Sequence, residues 1–349
     1  MKKELLLATA LASTLGAAGI AEAASGSFSG HTRVGVTADN PDSSNADTYA
    51  GDQKSNFAVS ISETTDAGVK IATGFTLADE GTAEVDSSGL TLTFTDGSSL
   101  QLIEAGSAAA AHAVSVPGGG GELGIANTSS NNAAGGLTTG MGSDAVGFDY
   151  ATAADAFGVE GLSANVSASF NSDVAATSGA AGTVTLENSY AVGVTYKTTA
   201  GDSTVTIGAG YDQGDVNSDT ATKDNQTFQL GGTVVTGDLT VGAGYMDGDW
   251  LADNEQMSGS FVSAGAKYVS GDITFNIGMS SGDASDESIG TSGTSVEDSV
   301  DKVGASVDYV IASGVTGTVG YRSEDVKDEG ADAQTFSGSS WYVGATVSF

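Results

Sequence analysis

The side chains able to do covalent chemistry are few. The chain holds two histidines, His31 and His112, and no cysteine, which excludes thiolate nucleophiles, disulfides and Cys-based metal sites. Neither histidine stands beside a Ser or Asp constellation that would make a nucleophile with a positioned base, so an enzyme is not expected. Asp215-Val216-Asn217-Ser218-Asp219 matches the first three ligand positions of a calcium loop, but Thr220 stands where that loop needs Gly and Gln226 where it needs a final Glu. No cofactor is required by the sequence; calcium at Asp215, Asn217 and Asp219 is a partial match, and the plainer reading is a solvated acidic loop. Lys and Arg number 11 against 44 Asp and Glu, a formal net charge of −33. A field of that sign repels phosphate backbones and excludes nucleic acid as an expected partner. It also concentrates cations, so the placement of the rare basic groups matters.

Composition bounds what can position them. Gly is 51 of 349 residues, Pro 2, charged residues 16% and apolar residues 39%, which fits neither a collagen nor a charge-rich disordered chain. Met1-Lys2-Lys3, an apolar run from Leu5 to Ile20, and Ala21-Glu22-Ala23 have the form of a secretory signal peptide over residues 1–23. Residues 24–349 then form one domain. Nowhere else is there a run long and apolar enough for a membrane-spanning helix, so a membrane role would need a β-barrel.

The recurring pattern is strict alternation, the period of a strand with two unlike faces. In Trp341-Tyr342-Val343-Gly344-Ala345-Thr346-Val347-Ser348-Phe349 one parity reads Trp, Val, Ala, Val, Phe and the other Tyr, Gly, Thr, Ser. Such segments predict strands over 27–38, 54–63, 68–79, 89–95, 98–105, 143–151, 160–171, 187–198, 202–212, 225–236, 238–247, 257–269, 272–281, 298–311, 315–324 and 337–349. Short connections such as 199–201 and 270–271 alternate with long Asp/Ser/Gly loops such as 39–53, 213–224 and 282–297. Sixteen strands of this length, joined in that way, predict an all-β, 16-stranded antiparallel transmembrane β-barrel. A soluble sandwich would need large residues on its inner face. Here the polar parity is Thr, Ser, Gly and Asn, which can line water, and the apolar parity carries Tyr190, Tyr196, Tyr211, Tyr245, Tyr268, Tyr309, Tyr321 and Trp341 near strand ends, as aromatic girdles do.

The lysine-led leader, the first strand Gly30-His31-Thr32-Arg33-Val34-Gly35-Val36, the sixteen alternating segments and the last strand closing on Phe349 together resemble the general porins of Gram-negative outer membranes, most like the alphaproteobacterial Rhodobacter type. The resemblance implies a homotrimer of barrels in outer-membrane lipid and lipopolysaccharide, each a passive water-filled pore for small hydrophilic solutes and ions. It implies that Phe349 is read by the barrel assembly machinery, and that a long third loop folds inward as a constriction.

The longest break in alternation, about 105–142, is the candidate for that loop. Its carboxylates are few, with Glu122 inside it and Glu104 and Asp144 at its flanks. On the facing wall, parity turns Arg33, Lys54 and Lys70 inward, and His31 with Arg33. Basic groups opposite carboxylates would set a transverse field across the narrowest section. The alternative is that these charges merely avoid lipid, since Lys197, Lys267, Lys302 and Arg322 also read inward. A −33 chain predicts a mild cation preference that fades as salt rises. Two other functions compete: a surface structural or adhesive β-rich protein without an open pore, and a substrate-specific channel. The first would be favoured by repeats at a fixed period and the second by aromatic tracks, and neither stands out.

Overall fold

The computed structural model describes residues 24–41, 47–79, 83–103, 106–118, 146–170, 185–217, 225–252, 255–287, 296–327 and 336–349. The expected leader, 1–23, lies outside them. Sixteen strands close into one barrel in which every neighbouring pair is antiparallel and consecutive, with β1 (Ser25–Pro41) sealed to β16 (Phe336–Ser348). Between them run β2 (Thr48–Thr64), β3 (Lys70–Asp79), β4 (Ala83–Thr93), β5 (Ser99–Leu102), β6 (Val146–Ala151), β7 (Leu162–Phe170) and β8 (Thr185–Ala200). The second half is β9 (Ser203–Asn217), β10 (Asn225–Thr236), β11 (Leu239–Ala252), β12 (Glu255–Ser270), β13 (Ile273–Glu287), β14 (Val296–Ala312) and β15 (Val315–Lys327). The expected architecture is therefore found strand for strand.

Alternation in sequence becomes alternation in exposure. Along β16, Ser340 is 1% exposed, Trp341 51%, Tyr342 0% and Val343 60%. The apolar parity thus points away from the barrel and the polar parity into it, the reverse of a water-soluble core. Exposed Tyr190, Tyr245 and Trp341 lie toward the end with the long connections, and exposed Tyr196, Tyr268 and Tyr309 toward the end with the short turns. The rings of Tyr321 and Trp341 lie 4.6 Å apart. These are the two girdles expected where an apolar band meets two interfaces.

The strands run past their expected ends. β1 reaches Pro41 and pairs Asp39 with Thr48, and β13 continues to Glu287, so much of 39–53 and 282–297 is ladder rather than loop. The polar–apolar alternation stops there while the backbone bonding continues. At 17 residues, β1, β2 and β14 span roughly 56 Å at about 3.3 Å per residue, well beyond the ~9–11 residues a bilayer crossing needs.

β4 and β5 also differ from expectation. β4 starts at Ala83 rather than 89, because a bulge sets Ser88 and Gly89 opposite Gly74; Gly89 takes the left-handed φ of 60° that this bulge requires. Residues 94–98 form a tight turn, with Phe94 N donating to Ser98 O and Gly97 N to Phe94 O. This turn joins β4 and β5 as a hairpin. β5 has only four residues and ends beside Ile103, itself at φ 58°, where the chain leaves the wall.

Candidate functional site

Residues 106–118 lie within the barrel, as a strap across the inner faces of β7 to β12. Ser107 starts a single helical turn, α1 (Ala108–Ala111), by accepting from Ala109 N and Ala110 N. Its own hydroxyl donates to Asp212 of β9, a carboxylate 2% exposed. Ala108 N donates to Ser167 Oγ at 2.9 Å, and Gln229 Nε2 donates to the Ala109 carbonyl. His112 closes the turn, buried, with Nδ1 2.7 Å from Thr195 Oγ1 and Nε2 2.9 Å from Asn165 Oδ1. Asn165 Nδ2 in turn donates to Asp149 Oδ2 at 2.8 Å. That last bond fixes Oδ1 of Asn165 toward the ring, so Nε2 of His112 carries a proton and donates. Both ring nitrogens are used in holding the strap. The strap turns Ala110, Ala111 and Ser115 toward the lumen.

The opposite wall is charged. Arg33, near the middle of β1, grips Asp52 of β2 with Nε–Oδ2 2.6 Å and Nη2–Oδ1 3.3 Å. Lys54 stands directly across the ladder from Arg33. On the other side of β16, Lys302 Nζ and Arg322 Nε meet the two oxygens of Glu324 at 2.7 and 2.9 Å. Between the two clusters Tyr342 lies flat on the wall, where an added Cβ at Gly35 or Gly344 would strike its ring. β1 and β9 sit eight places apart in the ring of sixteen. The strap and this wall therefore face each other across the lumen.

A family model described as Gram-negative porin matches residues 8–348. The chain belongs to that family. No curated protein sequence matches it. Among solved structures it is similar to a loop-deletion mutant of OmpT, an outer-membrane protein of Vibrio cholerae, at 16% identity and TM-score 0.60 over 94% of this chain and 100% of that one. It is similar too to a mutant of Rh. blastica porin at 15% identity and TM-score 0.55, over 93% of this chain and 100% of that one. At such identities the likeness carries the fold. Family and fold together place this porin in the outer membrane as a channel.

The expected constriction residues of this porin are distributed as follows. His31, Arg33 and Lys54 share the inner wall of β1 and β2, His31 two residues from Arg33 toward the short-turn end. Lys70 does not join them. It is the first residue of β3, exposed, and pairs with Thr64, ten residues along β2 from Lys54, roughly 33 Å of strand. Parity sets the face of a residue but not its height, so inward parity could not separate Lys70 from the others. Glu104, Glu122, Asp144 and Asp219 lie outside the described residues. The described strap, 106–118, carries no acidic residue.

Asp215 and Asn217 belong to β9, Asn217 pairing with Thr185. Asn217 is thus part of the ladder, while Asp215 falls in the register shift between Leu186 and Ser189. An extended strand does not wrap alternate residues around one ion as the turn of a calcium loop does. Phe349 joins the barrel seam: its N–H donates to Gly30 O, its carbonyl accepts from Gly30 N, and its ring lies 6.3 Å from that of Phe57.

Three features escaped sequence reasoning. Asp52 falls in the expected 39–53 loop, though its parity with Lys54 places it on the wall. The Glu324 cluster needed strand register. The anchors of the strap needed its path.

Proposed function

We propose that this porin is a general diffusion channel, a water-filled pore for passive passage of small hydrophilic solutes and ions, narrowed by the strap at residues 106–118. The observation that carries this reading is the strap itself, bound to β7–β12 across the lumen from the charged wall of β1, β2, β14 and β15. Hydrated solutes pass between small, weakly polar strap side chains and paired wall charges. Each wall cluster sets two basic groups against one carboxylate, Arg33 and Lys54 with Asp52, and Lys302 and Arg322 with Glu324, while the net charge of −33 gives the pore as a whole a mild cation preference. No enzyme chemistry or cofactor enters this function. Residues 1–23 act as the cleaved signal peptide. Phe349 supplies the assembly signal, and the barrel works as a homotrimer embedded in outer-membrane lipid and lipopolysaccharide.

The test is solute flux. Proteoliposomes should admit small sugars and amino acids at rates that fall smoothly with size, and a salt-gradient reversal potential should have the sign of cation preference. Flux confined to one chemical class would contradict the general-channel reading, and an anion-selective potential would contradict the charge argument.

A further inference from the structure

At a series of wall glycines the strap lies too close for a side chain to stand between them. At Gly193 of β8 an added Cβ would come closer to the Ala108 carbonyl than the 3.0 Å that real Cβ contacts keep, and at Gly208 of β9 the same holds for the His112 carbonyl. At Gly210 it would meet Ala109 at 2.7 Å. The pattern continues as the strap crosses the barrel: Val114 lies 3.1 Å from the Cβ position of Gly231, and Pro117 occupies that of Gly265 and lies 2.8 Å from that of Gly242. These glycines are cross-strand partners, Gly193 with Gly210, Gly208 with Gly231, and Gly242 with Gly265. Each has inward parity. A glycine inside a strand weakens it, and marks a place where another backbone comes close.

From this geometry we infer that the inward glycines of β8 to β12 are positioning residues for conduction: a track that seats the strap against the wall and thereby sets the bore of the pore. The inference rests on the proposed constriction by the strap. Ser107, Gln229 and His112 hold the strap by hydrogen bonds, and the missing Cβ atoms decide how far from the wall it is held. A methyl group at the closest points leaves those bonding groups in place and moves the strap toward the lumen axis.

The experiment compares single-channel conductance and sugar flux of full-length wild type, Gly208→Ala, Gly265→Ala and their double variant. Gly51→Ala serves as control, because an added Cβ there meets nothing within 4 Å. All five are then repeated in a barrel whose residues 107–117 are replaced by a Gly-Ser linker of equal length. The expected result is a loss of conductance and a smaller flux cutoff in the track variants, greater in the double variant, absent in Gly51→Ala and absent once the strap is removed. Equal conductance of the folded track variants and wild type would overturn the inference. So would an equal loss in the linker barrel, which would show that the glycines act on the wall and not through the strap. If track variants do not fold with the strap present, folding of the same substitutions in the linker barrel supports the steric account, and failure there overturns it. A strap-free barrel that conducts no better than wild type would refute the constriction itself, a different failure from that of the track.

Discussion

Arg33 and Asp52 form a two-point ion pair across the β1–β2 ladder, with side chains only 15% and 6% exposed. Each neutralises the other in the middle of the pore wall. Removing either one changes the fixed charge of the wall by one unit, in opposite senses for the two residues.

Selectivity should therefore move in opposite directions for the two partners. Arg33→Ala leaves Asp52 uncompensated and should raise cation preference. Asp52→Asn leaves Arg33 beside Lys54 and should lower it or reverse its sign. Reversal potentials in a salt gradient read both, and a shift of the same sign in the two variants would contradict the pairing.

Ionic strength should separate the long-range field from the local pair. The screening length is about 10 Å at 0.1 M salt and about 3 Å at 1 M. Cation preference arising from the net charge of −33 should shrink strongly between these concentrations. A preference unchanged by salt would place its origin at the constriction instead.

His112→Ala should loosen the strap while leaving the barrel closed. It removes the ring between Thr195 and Asn165, and a buried polar group left unsatisfied costs about 1–3 kcal/mol. The expected reading is noisier open-channel current with the same strand content by circular dichroism. Quiet current identical to wild type would show that Ser107 and Gln229 suffice as anchors.

Tyr342→Ala should weaken the seam that closes the barrel. Tyr342 is fully buried and covers Gly35 and Gly344, the residues paired between β1 and β16. Removal of a large buried aromatic side chain costs about 3–5 kcal/mol. Denaturant unfolding should register the loss, and an unchanged midpoint would mean that the ring contributes little to the seam.

Acid should weaken the turn between β4 and β5. Asp96 accepts from Ser98 Oγ and Ser98 N at 2.7 and 3.0 Å, and these bonds hold its carboxyl below the ordinary carboxylate value. A depressed folded pKa stabilises above the unfolded value of about 4 and is lost as pH falls through the folded one. Asp96→Asn should remove that small acid-dependent part of stability, which unfolding curves at neutral and acid pH would show.

Much of this was legible before the fold was known, and for an identifiable reason. A barrel wall has lipid on one side and water on the other, so residues such as Trp341 and Tyr342 declare their faces by parity alone. Where that contrast ends, the signal ends with it: Asp39 to Pro41 and Gly282 to Glu287 continue as strand without polar–apolar alternation in their sequence. Lys70 was misplaced in height because period two says nothing about position along a strand. The inward glycines were visible as residues, but their purpose depends on the path of Ser107 to Pro117, a strap with no period of its own.

Planar-bilayer recording of the purified, detergent-extracted protein tests the central claim most directly. Large, stable conductance steps that close in three equal sublevels, with cation preference at low salt, are the expected result. Silence from correctly folded barrels would contradict an open, water-filled pore narrowed by the strap.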